Sequence, residues 1–177
     1  MPETSSPIAS IMRAPATARL APWLLVLAGL LVYAPSFGGA FTFDDTSQIE
    51  DNLRIRQVWP IQRFFQGTPR PLVELSFAVN HALGGLDPIG FHLTNTAIHI
   101  LAGLTLFGIV RRTLLLPSMA DRWGDHAMAI AMAVALIWVV HPLNTQAVSY
   151  IVQRAESLMG LFYLLVLYCF IRGSTAT

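Results

Sequence analysis

Two adjacent carboxylates, Asp44 and Asp45, follow the first long apolar stretch in the motif Phe-Thr-Phe-Asp-Asp-Thr. A segment that has just crossed lipid emerges at the water interface, and solubility alone requires no acids at that point. A carboxylate there can act as a general base that accepts the proton of an attacking hydroxyl. The alternative without chemistry is a solvated loop or a helix cap.

Neighbouring carboxylates on an extended loop point in different directions. We therefore expect one of the two to face a cavity while the other braces the loop. Phe41 and Phe43 precede Asp44 and are expected to hold the chain at the membrane surface. This favours Asp45 as the base and leaves Asp44 as the second candidate.

Polar side chains also recur inside apolar stretches, in the half nearer to the acid pair. His92, Asn95 and His99 lie at i, i+3 and i+7 of one helical stretch. Four more residues repeat at helical spacing beside Arg154, namely Gln146, Tyr150, Gln153 and Ser157. The two stripes predict a wet cavity beneath the loop that carries the acids. The histidines are interpreted as hydrogen-bonded cavity residues, because no third metal ligand is evident.

Two arginines are the candidates for binding a phosphate, because a planar guanidinium matches phosphate oxygens. Arg154 lies at membrane depth, and Arg70 precedes a predicted loop helix. Glu156 cannot pair with Arg154 along one helix face, being only two positions away, and is a further candidate for the site. Snorkelling to the interface is the alternative for Arg154. His141 also belongs to the candidate substrate-binding set, although His141-Pro142 reads as a structural turn.

Composition identifies the setting of these residues as a membrane. The chain has 177 residues, 54% apolar and 12% charged, which leaves too little polar surface for a soluble globule. A net charge of +1 argues against binding to nucleic acid. The single cysteine, Cys169, excludes an intrachain disulfide and is interpreted as lipid-facing or core packing.

Hydropathy predicts an all-α, polytopic protein with about four transmembrane helices. The first stretch, 20–37, would reach roughly 27 Å as a helix, close to the hydrocarbon thickness. A cleaved signal peptide is the alternative for it, since Gly38-Gly39-Ala40 offers small residues. The predicted segments are a flexible N-terminus 1–19, spans 20–37, 91–110, 124–141 and 147–171, a polar loop 38–90, and a tail 173–177.

Within the loop, Pro71 to Leu83 predicts a short amphipathic helix that lies along the membrane surface. Its predicted apolar face carries Leu72, Leu75, Val79 and Leu83, with Glu74 and His81 opposite.

Basic residues next to the spans predict the topology. Arg13, Arg19, Arg111, Arg112, Arg122 and Arg172 fall on one side, and the exception is Arg154. The excess of arginine marks the cytoplasmic side. We therefore expect both termini to be cytoplasmic and the loop 38–90 to be extracytoplasmic.

Several motifs in fixed order resemble the GT-C integral-membrane glycosyltransferases, and most closely the TMTC-type O-mannosyltransferases and their bacterial tetratricopeptide-repeat relatives. The motifs are Phe-Asp-Asp after the first span, Arg70-Pro-Leu, Gly90-Phe-His-Leu-Thr-Asn with His99, His141-Pro-Leu-Asn-Thr-Gln-Ala-Val, and Arg154-Ala-Glu-Ser-Leu. The resemblance covers roughly residues 20–172.

The resemblance implies a lipid-phosphate sugar donor used on the extracytoplasmic side, with Asp44 or Asp45 as the base. It implies a polyprenyl-phosphate sugar, a protein or glycan acceptor and the lipid bilayer as partners, in a bacterial inner membrane. Whether the reaction requires a divalent metal is not decided by the sequence. Such enzymes have more than four spans, and the chain has no 34-residue repeat, so we interpret it as the N-terminal part of such an enzyme.

Two other hypotheses remain. One is a non-catalytic membrane subunit or a truncated remnant of such an enzyme. The other is a small transporter, which is disfavoured because the polar stripes end halfway across the bilayer, whereas a permeation path needs polar groups in both halves.

Overall fold

The computed structural model describes the backbone of residues 16–174 and the side chains from residue 20 onward. Seven α-helices lie in the described part of the chain. They are α1 Ala16–Tyr33, α2 Pro71–Gly84, α3 Pro88–Leu114, α4 Pro117–Trp123, α5 Ala127–Val140, α6 Thr145–Ser149 and α7 Arg154–Ser174. Residues 16–19 of the predicted flexible N-terminus begin α1, and the remainder of that segment lies outside the described residues.

Four stretches are long and apolar enough to cross a membrane, which confirms the predicted all-α membrane fold. They are Leu20–Gly38, Pro88–Leu114, Pro117–Val140 and Ile151–Ser174. Helix α3 is central, because it packs against α1, α5 and α7. The end of the bundle that carries residues 38–90 is called the loop end below, and the end that carries Arg111, Arg112 and Arg122 is called the arginine end.

Small residues allow the helices to approach α3 closely, as is common where lipid supplies no hydrophobic driving force. A Cβ atom on Gly103 would collide with the Val139 side chain of α5. A Cβ atom on Gly108 would lie 2.8 Å from the Tyr168 ring of α7. The two glycines therefore set the spacing of α3 from its neighbours.

The polar loop folds into a layer of short helical turns over the bundle. Ile49, Ile55 and Phe64 are fully buried and pack against Phe77 of α2 and Phe91 of α3. A loop with this much buried apolar surface is a structured part of the fold, with a core of its own.

Three loop arginines stabilise that layer through the backbone. Arg54 pairs with Glu74 at 3.0 Å and donates to the carbonyl oxygens of Arg63 and Gln66. Arg56 donates to the carbonyl of Glu50 and contacts His81. Arg63 donates to the carbonyl of Arg54. These guanidinium groups are thus occupied in holding the loop.

Helix α2 forms as predicted, and Gly85 ends it with φ +64°. The predicted apolar face is not the face that packs against the protein. Phe77 and Ala78 are buried, whereas Leu72, Val79 and Leu83 are exposed. The reason is that Glu74 and His81, on the polar face, make the contacts with the loop arginines. The exposed leucine stripe suits a helix at a membrane surface, which stays a prediction.

The predicted fourth span does not form as one helix, and this is a correction. Helix α6 ends at Ser149, Tyr150 is extended with ψ 113°, and a single 3₁₀ turn, Ile151–Gln153, leads into α7. Gln146 and Tyr150 therefore lie outside the helix that carries Arg154, so the predicted stripe is not continuous. Partners from elsewhere in the chain satisfy the backbone groups at this break, as described next.

Candidate functional site

A tight turn at Thr42–Asp45 sets the direction of both acids. The Asp45 amide donates to the carbonyl of Thr42 at 3.0 Å, and the Thr42 amide donates to Asp45 Oδ2 at 3.1 Å. Phe43, inside the turn, has φ +48° and a side chain that is 90% exposed. A bulky residue in the left-handed region costs energy, and such outliers cluster at functional sites.

Asp45 points into the protein and is 1% exposed. Its Oδ1 accepts a hydrogen bond from the Val152 amide at 2.8 Å, at the break before α7. Burial raises the pKa of this carboxyl, and the hydrogen bonds from Thr42 and Val152 oppose that rise. Asp45 therefore joins the loop to the start of α7.

Asp44 is exposed and lines an open cleft of about 600 Å³ between the loop, α2 and the start of α7. Its backbone amide donates to the Tyr150 hydroxyl at 3.0 Å, and Tyr150 also contacts Phe43 edge-on. The break in the fourth apolar stretch thus positions Asp44 through Tyr150 while it holds Asp45 through Val152.

The cleft brings together three of the residues singled out in the sequence: Asp44, Arg70 and Glu156. Arg70 is exposed, and its guanidinium makes no hydrogen bond or ion pair with the described part of the chain. Glu74 also lines the cleft, but Arg54 balances its charge. Arg70 is therefore the cation available to a ligand among the described residues that line the cleft.

An apolar groove of about 360 Å³ adjoins this cleft and shares Arg70, Val73 and Glu156 with it. Leu158, Met159 and Phe162 line it along one face of α7, with Leu72 of α2 opposite. The groove runs into the candidate span Ile151–Ser174. A ligand with a polar head and an apolar tail matches this pair of cavities.

Arg154 lies behind the cleft and is fully buried. Its Nε donates to Asn95 Oδ1 at 2.7 Å, Nη1 to Ser76 Oγ at 3.0 Å and Nη2 to the Phe91 carbonyl at 3.1 Å. The guanidinium also stacks over the Phe77 ring, 4.5 Å from its centre. The predicted phosphate-binding arginine thus joins α2, α3 and α7 and has no surface in the cleft.

Asn95 completes this buried network. Its Nδ2 donates to the carbonyl oxygens of Val148 and Ile151, both at 3.2 Å. Both carbonyl groups lie at the break, and the Ile151 carbonyl also accepts from the Arg154 backbone amide. Asn95 therefore stabilises the break directly and orients Arg154.

The three histidines from the sequence analysis do not meet in the cleft. His99 is buried, bonds the Val139 carbonyl at 3.0 Å and stacks on Trp138. His92 is buried against Gly39. His141 accepts a hydrogen bond from the Leu143 amide, as expected for a turn, and lines a separate apolar cavity with Trp138. His92, Asn95 and His99 are buried inside the bundle and do not line the cleft, so the contribution of this stripe to the predicted cavity is not observed.

Gln153, from the predicted stripe beside Arg154, also lines the cleft wall. Gln48 and Thr68 complete that wall and were not singled out in the sequence analysis. Only contacts across the chain identify them, since their spacing carries no signal. No group of three or more His, Cys, Asp or Glu suited to a metal ion forms in the described residues.

The fold and the cleft together define a polytopic helical membrane protein with an acid and an arginine in one cleft at its loop end. Comparison with known proteins shows that the chain is similar in sequence to part of the TMTC protein O-mannosyl-transferases. It is 33% identical to protein O-mannosyl-transferase TMTC3 of Mus musculus and 32% identical to tmtc2 of Xenopus laevis, over 80% and 81% of this chain. Drosophila melanogaster Tmtc1 is 34% identical over 76% of the chain.

The chain spans 16% of the mouse relative's length and 18% of the Xenopus relative's length. No protein-family model and no solved structure matches the chain.

Proposed function

We propose that this chain carries the base and the phosphate-binding arginine of a membrane glycosyltransferase, which moves mannose from a polyprenyl-phosphate donor to a hydroxyl of a protein acceptor. One observation carries the proposal: a polar cleft with Asp44, Arg70 and Glu156 opens into an apolar groove along α7. The printed names of the relatives, protein O-mannosyl-transferases, support the reaction class.

The donor is an amphiphile, and the two cavities match its parts. Arg70 lies where cleft and groove meet, which suits the phosphate between the sugar and the lipid tail. Leu158, Met159 and Phe162 would contact the tail. Gln48, Thr68, Gln153 and Glu156 offer donors and acceptors for sugar hydroxyls.

In the proposed reaction the base is Asp44, because it lines the cleft, whereas Asp45 is buried. This choice reverses the preference drawn from the sequence. The Asp44 carboxylate takes the proton of the acceptor hydroxyl, whose oxygen forms a bond to the anomeric carbon. The bond from that carbon to the phosphate oxygen breaks, and the phosphate keeps the electron pair. Arg70 stabilises the negative charge on this leaving group. Asp45 and Arg154 hold the frame of the cleft.

Donor binding tests the proposal on the chain itself. Purified protein in nanodiscs is titrated with a fluorescent polyprenyl phosphate and, as a control, with the polyprenol of the same length. We expect saturable binding of the phosphate form, and a loss of about tenfold or more in Arg70→Gln from the missing charge-assisted contact. Arg122→Gln, at the arginine end, is the matched control.

Equal binding of polyprenol and polyprenyl phosphate, or unchanged binding in Arg70→Gln, would contradict the donor assignment. Absence of saturable donor binding in the wild type would favour the non-catalytic membrane subunit or remnant.

We also propose that the loop end is extracytoplasmic and the arginine end cytoplasmic, because arginine accumulates on the cytoplasmic side. Cys169 is replaced by Ser, and single cysteines are placed at the exposed positions Asp51 and Ser118. A membrane-impermeant maleimide added to intact cells should label position 51 alone. Labelling of position 118 under the same conditions would overturn the orientation.

A further inference from the structure

A further cavity lies at the arginine end, away from the cleft. It measures about 320 Å³ and opens between α3 and α7. Leu104, Phe107 and Leu165 form its wall, and Arg111 and Arg112 lie at its end in the last turn of α3. Roughly 28 Å of helix separates Arg111 from His92 at the loop end of α3. The cavity is therefore independent of the proposed transfer site.

Tyr168 of α7 positions one of the two arginines. Arg112 Nε donates to the Tyr168 hydroxyl at 3.2 Å, and the guanidinium lies over the ring, 5.3 Å from its centre. Gly108 makes room for that ring. Because only Nε is bonded within the described residues, the two Nη groups remain available to a ligand.

Within the described residues, no carboxylate forms an ion pair with either arginine of this cavity. Arg111 is also exposed. Arginine at a helix C-terminus is also favoured by the helix dipole and by membrane topology. Those effects account for positive charge here, but they do not require an apolar cavity between α3 and α7 with an oriented guanidinium at its end.

We propose that this cavity binds an anionic phospholipid from the leaflet at the arginine end. The lipid phosphate contacts Arg111 and Arg112, and an acyl chain lies along Leu104, Phe107 and Leu165. Arginine matches phosphate oxygens in pairs, and basic pockets between membrane helices select anionic headgroups. A free phosphate would satisfy the arginines but leave the apolar wall uncovered, so the cavity favours the lipid.

Native mass spectrometry of the protein released from nanodiscs of phosphatidylglycerol and phosphatidylcholine tests this site. The wild type should retain phosphatidylglycerol in preference to phosphatidylcholine. Each arginine should contribute about fivefold, so Arg111→Gln/Arg112→Gln should lose roughly twentyfold of the retained phosphatidylglycerol. Arg122→Gln removes a charge at the arginine end but outside the cavity, and this variant should retain phosphatidylglycerol as the wild type does.

Two further variants keep the test decisive if the double variant folds poorly. Arg111→Gln alone removes an exposed charge, and Tyr168→Phe removes only the hydroxyl that orients Arg112; both should lower retention severalfold. Unchanged retention in these variants would overturn the site. An equal loss of retained lipid in Arg122→Gln would mean that general surface charge, and not this cavity, holds the lipid. Displacement of the lipid by millimolar inorganic phosphate would mean that the cavity is a phosphate site.

Discussion

The cleft and the network behind it contain the same two residue types in opposite roles. In the cleft, Asp44 and Arg70 are exposed, and their charged groups are open to a ligand. In the network, Asp45 and Arg154 are buried, and their polar atoms are bonded to the backbone or to neighbouring side chains. Burial and the number of internal partners separate a residue that can do chemistry from one that builds the site.

The network also explains why the cleft exists. Asp45 and Asn95 bond the backbone at Val148, Ile151 and Val152, where the fourth apolar stretch breaks. That break places Tyr150 against the Asp44 amide and Glu156 in the cleft. The predictions below separate the two regions, beginning with the largest expected effect.

Removal of the buried arginine should damage the fold most. In Arg154→Met, Asn95 Oδ1, Ser76 Oγ and the Phe91 carbonyl lose their charged donor. We expect a loss on the order of 3 kcal/mol, or about 10 °C in melting temperature. Thermal unfolding in detergent measures it, with Arg70→Met as the matched control. A similar melting temperature for both variants would remove the distinction between the two arginines.

Asn95→Leu should destabilise the backbone conformation at the break without changing any side chain that lines the cleft. The variant loses two donated hydrogen bonds and one acceptor for Arg154. We expect a cost of about 2 kcal/mol, or roughly 6 °C. Thr105→Val, whose hydroxyl donates to the Leu101 carbonyl of its own helix, serves as the control and should melt close to the wild type. An unaltered melting temperature in Asn95→Leu would mean that the break persists without Asn95.

Tyr150→Phe tests how closely the two regions are coupled. The change removes the hydroxyl that accepts from the Asp44 amide and keeps the ring contact with Phe43. Sugar transfer should fall severalfold with a melting temperature within about 2 °C of wild type. Tyr163→Phe, on an exposed part of α7, should change neither quantity. A large drop in melting temperature instead would mean that Tyr150 stabilises the fold, as Asp45 and Arg154 do.

The smallest expected effect is a pH dependence from Asp45. Burial raises its pKa, with Asp44 adding to the rise and the Thr42 and Val152 amides and His92 opposing it. The folded state therefore holds this proton more tightly than the unfolded state. Stability from Asp45 is fully present below the unfolded pKa of about 4 and is lost as the pH rises through the folded pKa.

Asp45→Asn removes this titration, so melting temperatures of both proteins are compared between pH 7 and pH 4. The advantage of the wild type over the variant should grow as the pH falls. A narrowing of that advantage would mean that the folded pKa lies below the unfolded one.

Periodicity and hydropathy were sufficient for the helical membrane fold, because each span contains a long, predominantly apolar run. The loop helix was also predictable, since Pro71 and Gly85 mark its ends. The break at Tyr150 was not, because the sequence from Ala147 to Ile171 is typical of one helix. The contacts from Asp45 and Asn95 that stabilise the interruption come from residues distant in sequence.

The candidate site divided in the same way. Spacing placed Asp44, Arg70 and Glu156 among the functional candidates, and they do share a cleft. Spacing could not distinguish Arg70 from Arg154, or Asp44 from Asp45, because residue type does not reveal how many internal partners a side chain has. Those partners come from contacts across more than 50 residues.

Paired substitution of the two acids tests the central claim most directly. Sugar transfer per folded protein and melting temperature are measured for the Asp44→Asn and Asp45→Asn variants of the active enzyme in membranes. Asp44→Asn should lose at least about a hundredfold of transfer at an unchanged melting temperature, because the amide cannot accept the proton. Asp45→Asn should keep most of its transfer activity and melt several degrees lower, since one amide donor at Thr42 or Val152 loses its acceptor. Full transfer in Asp44→Asn, with transfer lost in an Asp45→Asn protein of normal stability, would contradict the account and make Asp45 the base.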